Sequence, residues 1–363
     1  MFAASDYEYM SYALQLAERG LFTASPNPRV GCVIVNNSKV VGTGWHERAG
    51  EPHAEIHALR EAGDLAKGAT VYVTLEPCSH HGRTPPCVEA LIQAGVYKVV
   101  MAMNDPNPHV NGQGKEWLQK AGIEIQAGLL AEEAERLNIG FVTRMRHARP
   151  WVRTKIAASL DGRTALKNGK SQWITSAAAR RDGHKWRARS CAILTGISSI
   201  RKDDSQLTVR HIETSRQPVR VVVDSRLEIP LQAKLLQNAD TTWIFTAQTD
   251  REKIHQVADT GAHIIMLPDS AGKVDLKAMM MKLAESGINE LLVEAGPVLN
   301  GALVTAGLVD EIIFYFSPSL LGNSAQAMLA LPEIGDLSEK YDLEISDIRK
   351  IGMDVCLIAR FIK

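Results

Sequence analysis

The sequence has no surplus of either charge: across 363 residues, 41 Lys and Arg are balanced by 41 Asp and Glu. Non-specific nucleic-acid affinity comes from neutralising phosphates, so a balanced chain lacks the bulk basic surface that duplex binding needs, and no nucleic-acid partner is expected. Cysteine is scarce. The five thiols, Cys32, Cys78, Cys87, Cys191 and Cys356, are odd in number and widely spaced, which argues against a disulfide framework and for a reducing, cytoplasmic setting. Residues 1–10 carry Asp6 and Glu8 where a secretory leader would be basic and then apolar. A membrane-spanning run is also missing. The most apolar stretch, residues 291–309, is interrupted by Glu294, Pro297 and Asn300, and reads as a buried strand, a turn at Gly296 and a helix. What is left is an ordinary globular composition, 45% hydrophobic and 23% charged, in a chain long enough for two domains.

Hydrophobic spacing divides the chain into elements. Met10, Ala13, Leu14 and Ala17 recur at helical spacing within residues 6–19. Strands are expected at 30–35, 39–44, 69–75, 96–103 and 124–126, and helices at 54–62, 87–94, 114–121 and 131–146. This alternation predicts a three-layer α/β domain over residues 1–147. A basic stretch ending in proline, 144–150, marks the break. Residues 148–363 then form a second α/β domain, with strands expected at 152–158, 192–195, 219–223, 242–246, 263–267, 290–293, 311–316 and 354–361. Its helices are expected at 177–188, 251–259, 276–286 and 298–306.

The sharpest chemical signal is Pro52-His53-Ala54-Glu55 at a predicted helix start, followed by Pro77-Cys78 after a strand and Cys87 nine residues later. One imidazole and two thiolates suit Zn2+ better than magnesium or calcium, and three protein ligands leave a fourth position for water, the pattern of a catalytic site. Glu55 lies two residues past His53, in the first turn of the same helix, where a carboxylate can move a proton between water, a ring nitrogen and a leaving amine. That is the chemistry of hydrolytic deamination. A closed structural zinc site completed by His80 or His81 is the competing reading.

The order His-x-Glu, then Pro-Cys, then Cys resembles the zinc nucleoside and nucleotide deaminases, whose signature is H-x-E…P-C-x-x-C. Here eight residues, Ser79-His80-His81-Gly82-Arg83-Thr84-Pro85-Pro86, separate the cysteines where that signature has two. The full run Thr74-Leu75-Glu76-Pro77-Cys78-Ser79-His80-His81-Gly82-Arg83-Thr84-Pro85-Pro86-Cys87 closely resembles the bifunctional riboflavin biosynthesis deaminase/reductase family. So do Gly50-Glu51-Pro52-His53-Ala54-Glu55 and Asn104-Asp105-Pro106-Asn107-Pro108. The resemblance extends over essentially the whole chain. It implies a cytidine-deaminase-like first domain that deaminates 2,5-diamino-6-ribosylamino-4(3H)-pyrimidinone 5′-phosphate. It also implies a dihydrofolate-reductase-like second domain that reduces the ribosyl group to ribityl with NADPH. Zinc then falls on His53, Cys78 and Cys87, the proton carrier is Glu55, and substrate contacts fall on Asn27, His46, His80 and Arg83.

In the second half the resemblance rests on Lys155-Ile156-Ala157-Ala158-Ser159-Leu160-Asp161-Gly162-Arg163, Ser171-Gln172-Trp173-Ile174-Thr175-Ser176 and Val293-Glu294-Ala295-Gly296-Pro297. No G-x-G-x-x-G fingerprint is present, although the strand, glycine turn and helix after Val293 would offer free N–H groups to a phosphate. The resemblance places NADPH contacts on Ala157, Trp173, Ser199, Asp203 and Ser225, and on the run Gly296, Pro297, Val298, Leu299, Asn300, Gly301 and Ala302. It places substrate contacts on Ser171, Arg187, Leu207, Arg210 and Glu294, with Arg187 and Arg210 suited to the phosphate and Lys155 and Asp203 candidates to polarise the opened sugar. The partner is thus a phosphorylated pyrimidine, with no membrane, and a homo-oligomer is expected. A tRNA or free-base deaminase with an accessory domain is the alternative; the zero net charge and the long insert between the cysteines weigh against it. A zinc-stabilised binding module without catalysis is disfavoured by Glu55.

Overall fold

A computed structural model describes residues 2–80, 85–108 and 110–362. The chain forms two compact units, Met1–Ala148 and Arg149–Lys363.

The first unit runs α1 (Ala4–Glu18), β1 (Gly31–Asn36), β2 (Lys39–Trp45), α2 (Ala54–Ala62), β3 (Thr70–Val73), α3 (Cys87–Gln93), β4 (Lys98–Met101), α4 (Gln113–Lys120), β5 (Glu124–Ala127), α5 (Ala131–Leu137) and α6 (Ile139–His147). The strands form one sheet in the order β2-β1-β3-β4-β5, in which β1 is antiparallel to both neighbours and β3, β4 and β5 are parallel. Alternation along β1 shows why two helical layers form. Cys32 and Ile34 pack on one face with Ala54, Ala58, Val88 and Leu91 of α2 and α3, while Val33 and Val35 pack on the other with Met10, Ala13, Leu16 and Phe141. The three-layer expectation holds. The single helix expected over 131–146 is two, parted at Asn138, whose side-chain Oδ1 accepts from the Arg29 N–H at 2.8 Å and whose Nδ2 donates to the Arg29 carbonyl at 2.9 Å. That long-range clasp is invisible to periodicity.

The second unit contains β6 (Trp151–Ser159), β7 (Arg163–Ala165), α7 (Ala177–Arg189), β8 (Ala192–Gly196), α8 (Ile197–Asp203), β9 (Val219–Val223), β10 (Thr242–Thr246), α9 (Arg251–Ala258), β11 (His263–Met266), α10 (Leu276–Glu285), β12 (Glu290–Val293), α11 (Pro297–Thr305), β13 (Glu311–Ser317), β14 (Gln326–Ala327), β15 (Leu343–Ile351) and β16 (Asp354–Phe361). Nine strands form one sheet, β11-β10-β9-β8-β12-β6-β13-β16-β15, parallel as far as β13 and antiparallel over the last two. The apolar stretch 291–309 is indeed β12, a turn and α11. Leu291 and Val293 join the core with Met279, Met280, Leu283 and Leu303, whereas Leu292 faces Ala179 and Tyr315. The structure adds β15, which had no sequence signal: it is an edge strand, mostly exposed, with its register broken by a bulge between Ile345 and Asp347. Among the described residues no helix is long and apolar enough to cross a membrane.

Candidate active sites

In the first unit, three short segments converge. His53 caps the start of α2 from extended backbone, Cys78 follows β3, and Cys87 opens α3 behind Pro86. Their ligand atoms all lie within 4.8 Å of one another, and among the described residues they form the one His/Cys/carboxylate cluster that could hold a metal ion. His53 Nδ1 stands 3.2 Å from Cys87 Sγ and 3.4 Å from Cys78 Sγ, and the Cys87 main-chain N–H donates to Cys78 Sγ at 3.3 Å. The Cys87 thiol donates to Cys78, which holds Cys78 down at about 4 and pushes Cys87 up. A proton shared by two sulfurs beside an imidazole is what a thiophilic dication displaces, so the donor set fits zinc. His80 is exposed and outside this cluster, so it does not close the site; His81 lies outside the described residues.

Glu55 is 3% exposed and lies against the Cys87 thiol. Burial, reinforced by Cys78, raises its carboxyl to about 7, against the pull of His53. A carboxyl in that range can both accept and release a proton near neutral pH. The helix that carries it is pressed onto β2. A Cβ at Gly42 or Gly44 would lie 2.2 Å from the carbonyl oxygen of Ala58 or Ala54, so only glycine lets α2 sit where His53 and Glu55 reach the cysteines.

Asn27 and His46 join this pocket. Asn27 Nδ2 is 3.1 Å from His46 Nε2, His46 Nδ1 is 3.2 Å from the Pro52 carbonyl, and the His46 ring meets His53 edge-on at 5.3 Å. A carbonyl only accepts, so Nδ1 carries the proton and Nε2 accepts from Asn27, which leaves the Asn27 Oδ1 for a ligand. Burial lowers the His46 pKa and keeps that tautomer neutral. Arg83 lies outside the described residues. Sequence reasoning did not single out Glu76, a buried carboxylate that accepts the N–H groups of Asp105 at 3.0 Å, Gly112 at 3.0 Å and Lys115 at 3.2 Å. It pins the main chain at Asp105, at Gly112 and at the start of α4 beside Pro77-Cys78. Its only sequence signal was its place in the Thr-Leu-Glu-Pro-Cys run.

The second unit holds a cavity of about 1120 Å3. Nine residues expected to contact substrate or cofactor, or to polarise the sugar, line it: Lys155, Ala157, Ser171, Trp173, Arg187, Asp203, Leu207, Arg210 and Glu294. Ser199, Ser225 and the 296–302 run do not line it. They follow β8, β9 and β12, at the carboxyl ends of adjacent parallel strands, where open α/β sheets hold ligands. Gly296 caps α11 and Pro297 occupies its first turn; a Cβ on Gly296 would lie 3.9 Å from Ser198 Oγ, so the turns after β8 and β12 are neighbours. Ser225 Oγ accepts from the Val274 N–H. Gly301 faces the protein, its Cβ position 2.1 Å from the Ala330 carbonyl oxygen, and Asn300 is buried.

At the floor of the cavity Glu294 Oε1 accepts from Arg187 Nε at 2.6 Å, while its Oε2 accepts from Arg187 Nη2 at 2.9 Å and Lys155 Nζ at 3.2 Å. Burial alone would raise this carboxyl; Arg187 and Lys155 outweigh it and hold Glu294 far below the usual range. Arg187 Nη1 also donates to the Thr208 carbonyl, so all three guanidinium nitrogens are engaged. The exposed Arg210 guanidinium donates through Nη1 to Gln206 Oε1 and Thr208 Oγ1, both at 3.2 Å. Trp173 is 69% exposed, under the Arg180 guanidinium at 4.3 Å, and is thus a rim residue and not part of the core.

Comparison with known proteins assigns each unit to a known domain family. Residues 3–103 match the cytidine and deoxycytidylate deaminase zinc-binding region, and residues 150–357 match the RibD C-terminal domain. The riboflavin biosynthesis protein RibD of Escherichia coli is 50% identical over 97% of this chain and 98% of its own. A solved structure of Acinetobacter baumannii RibD superposes with a TM-score of 0.93 at 43% identity, covering 99% of both chains. A Thermotoga maritima diaminohydroxyphosphoribosylaminopyrimidine deaminase/5-amino-6-(5-phosphoribosylamino)uracil reductase superposes with a TM-score of 0.87 at 30% identity, again over 99% of both. With a zinc-type deaminase pocket in its first unit and a reductase cavity in its second, the chain belongs to the RibD family of bifunctional riboflavin biosynthesis deaminase/reductases.

Proposed function

We propose that the residues brought together in each unit carry out the two reactions in sequence, and that the convergence of His53, Cys78 and Cys87 on Glu55 is the observation that carries the reading. Zinc bound to those three ligands supplies the acidity that turns water into a nucleophile at neutral pH. Glu55 would accept one proton from the attacking water and give it to the pyrimidine ring nitrogen, then take the proton of the newly added hydroxyl and give it to the amine that leaves as ammonia. Asn27, fixed by His46, orients the substrate through its free Oδ1. His80 and Arg83 stand in the stretch between the cysteines and contact the sugar phosphate.

In the second unit NADPH supplies the hydride to C1′ of the opened ribosylamine. The cavity exceeds the ~300–1,000 Å3 of ordinary small-ligand pockets, so it has room for a sugar phosphate beside a nicotinamide. Ala157 and Trp173 would hold the nicotinamide and the turn into α11 its phosphates, with Ser199, Asp203 and Ser225 along the same strand ends. Lys155, hydrogen-bonded to Glu294, presents a proton to the sugar. Of the two arginines, Arg187 is bonded to Glu294 and Thr208, which supports Arg210 as the main contact to the substrate phosphate, with Ser171 and Leu207 beside it. The protein works in the cytoplasm, supported by five unpaired cysteines. It assembles with copies of itself, supported by the open edge of β15, where Ile345 and Ile348 are 55% and 60% exposed; light scattering checks this. A coupled assay of the zinc-loaded chain with the diaminopyrimidine phosphate, following ammonia and NADPH separately, tests both reactions. Ammonia release without any NADPH oxidation would reject the second.

A further inference from the structure

The loop that carries Leu207 and Arg210 has no secondary structure of its own. Between Ser205 and His211 no main-chain group pairs with another main-chain group among the described residues. Leu207 and His211 sit at φ +53° and +66°, and Asp204 at +43°, a left-handed conformation that side-chain-bearing residues rarely hold without outside support. That support comes from side chains of other elements. His184 Nδ1, on α7, accepts the Arg210 main-chain N–H at 3.0 Å. Gln217, just before β9, brackets Val209 as a strand would: Oε1 accepts the Val209 N–H at 2.7 Å and Nε2 donates to its carbonyl at 3.3 Å. The Thr208 carbonyl accepts from Arg187. At the near end Asp204 accepts from the Lys234 N–H at 2.8 Å.

We infer that His184 and Gln217 are positioning residues of the reductase, which hold the main chain at Val209-Arg210 in the one conformation that presents the Arg210 guanidinium to the phosphate of the substrate. The inference rests on the proposed role of Arg210. His184 is suited to the task because it is 8% exposed, packs edge-on against His211 at 5.2 Å, and lies in the cavity wall. Burial, with Arg187 and Arg210 nearby, keeps the ring neutral, so Nδ1 remains an acceptor. Gln217 does the same from a solvent-exposed position, so its share is smaller.

The test is steady-state reductase kinetics of the full chain with 5-amino-6-(5-phosphoribosylamino)uracil and its dephosphorylated form. His184→Phe keeps the ring volume and removes the acceptor. We expect a KM rise of about tenfold for the phosphorylated substrate, with kcat within about twofold and little change for the dephosphorylated one, as one lost buried hydrogen bond predicts. His184→Asn, whose Oδ1 reaches as far as Nδ1, restores the parent KM. Gln217→Ala gives the same pattern at about threefold, and carries the test alone if His184→Phe does not fold. Equal losses on both substrates, or a folded His184→Asn that fails to restore KM, overturn the inference. Arg210→Ala separates it from the reading beneath: if that variant leaves the KM for phosphorylated substrate unchanged, the phosphate assignment falls. Amide exchange at Val209 and Arg210 judges the tether itself, and unchanged exchange in His184→Phe rejects it.

Discussion

The two sites are built on opposite plans. In the deaminase pocket the reactive groups come from motifs of a few residues, and they constrain one another: His53 and Glu55 share one helix start, and Cys87 both opens α3 and bonds Cys78. In the reductase cavity the groups come from strands and loops separated by up to 139 positions, as in the Lys155–Glu294 pair, and are held by ion pairs and borrowed side-chain tethers. A compact, metal-ready site should fail at once when one member is removed. A distributed site should fail by degrees, through KM or stability.

The sharpest break is at Glu55. Glu55→Gln removes the proton carrier and keeps the volume, and should lower ammonia release by about 10²–10⁴-fold or more while NADPH oxidation continues on supplied deaminated intermediate. Loss of both activities in a folded, zinc-loaded variant would contradict the separation of the sites. Metal analysis makes the same cut. Cys78→Ala should lose zinc and deaminase activity together, whereas Cys32→Ala, fully buried in the sheet core, should retain full zinc. Zinc loss from Cys32→Ala would reassign the ligands.

The second unit should instead yield first in stability. Arg153 is 3% exposed and donates to both Glu290 and Glu311, which Arg189 and Arg360 also bond. Glu290 and Glu311 open β12 and β13, at the strand ends away from Glu294 and the cavity. Arg153→Met would remove the buried guanidinium that Glu290 and Glu311 share, leaving each with one arginine, and should cost up to about 3–5 kcal/mol, read as an early unfolding transition in the reductase unit. Reductase KM values at low temperature should hardly move. A KM shift as large as the stability loss would mean the network reaches the site.

The same contrast governs how much could be read from the sequence. His53, Glu55, Cys78 and Cys87 were legible because metal and acid–base chemistry restrict both residue type and spacing. The buried parallel strands were legible because both faces are covered and they read as continuous apolar runs, so Val219–Val223 and Glu290–Val293 matched expectation. What stayed hidden depends on long-range partners: Asn138 parting α5 from α6, Arg187 committed to Glu294, and His184 and Gln217 holding a loop. The edge strand β15 was hidden for a different reason, since only one side pairs and its exposed face carries no apolar alternation.

The insert between the zinc cysteines sharpens the comparison from the sequence side. Two intervening residues satisfy the wider deaminase pattern, and this chain has eight, including Arg83, whose guanidinium stays charged at all ordinary pH. Arg83→Ala should raise the deaminase KM roughly ten- to a hundredfold, the equivalent of about 1.5–3 kcal/mol of charge-assisted hydrogen bonding, with little change in kcat and none in the reductase. Dephosphorylated substrate should be largely insensitive. Equal effects on both substrates would make the stretch a structural loop that happens to be polar.

The smallest expected effect is a pH dependence confined to the second unit. Burial first, then the charges of Arg187, Arg210 and His211, lower His184 from 6.5 to about 4, and Glu294 only partly offsets them. Above pH 6.5 the ring is neutral folded or unfolded, and contributes no pH dependence. Between 6.5 and about 4 the unfolded chain binds a proton that the folded chain refuses, so stability should fall as pH falls, and the loss is complete once the folded ring protonates as well. Protonation at Nδ1 would also replace the acceptor of the Arg210 N–H with a second donor. Denaturant unfolding of the full chain from pH 7 to 4, compared with His184→Asn, isolates the contribution: the variant should lose part of the slope in the reductase transition and leave the deaminase transition unchanged. If the slope is identical in both proteins, His184 titrates normally, and the neutral acceptor on which the Arg210 tether depends is absent below pH 6.5.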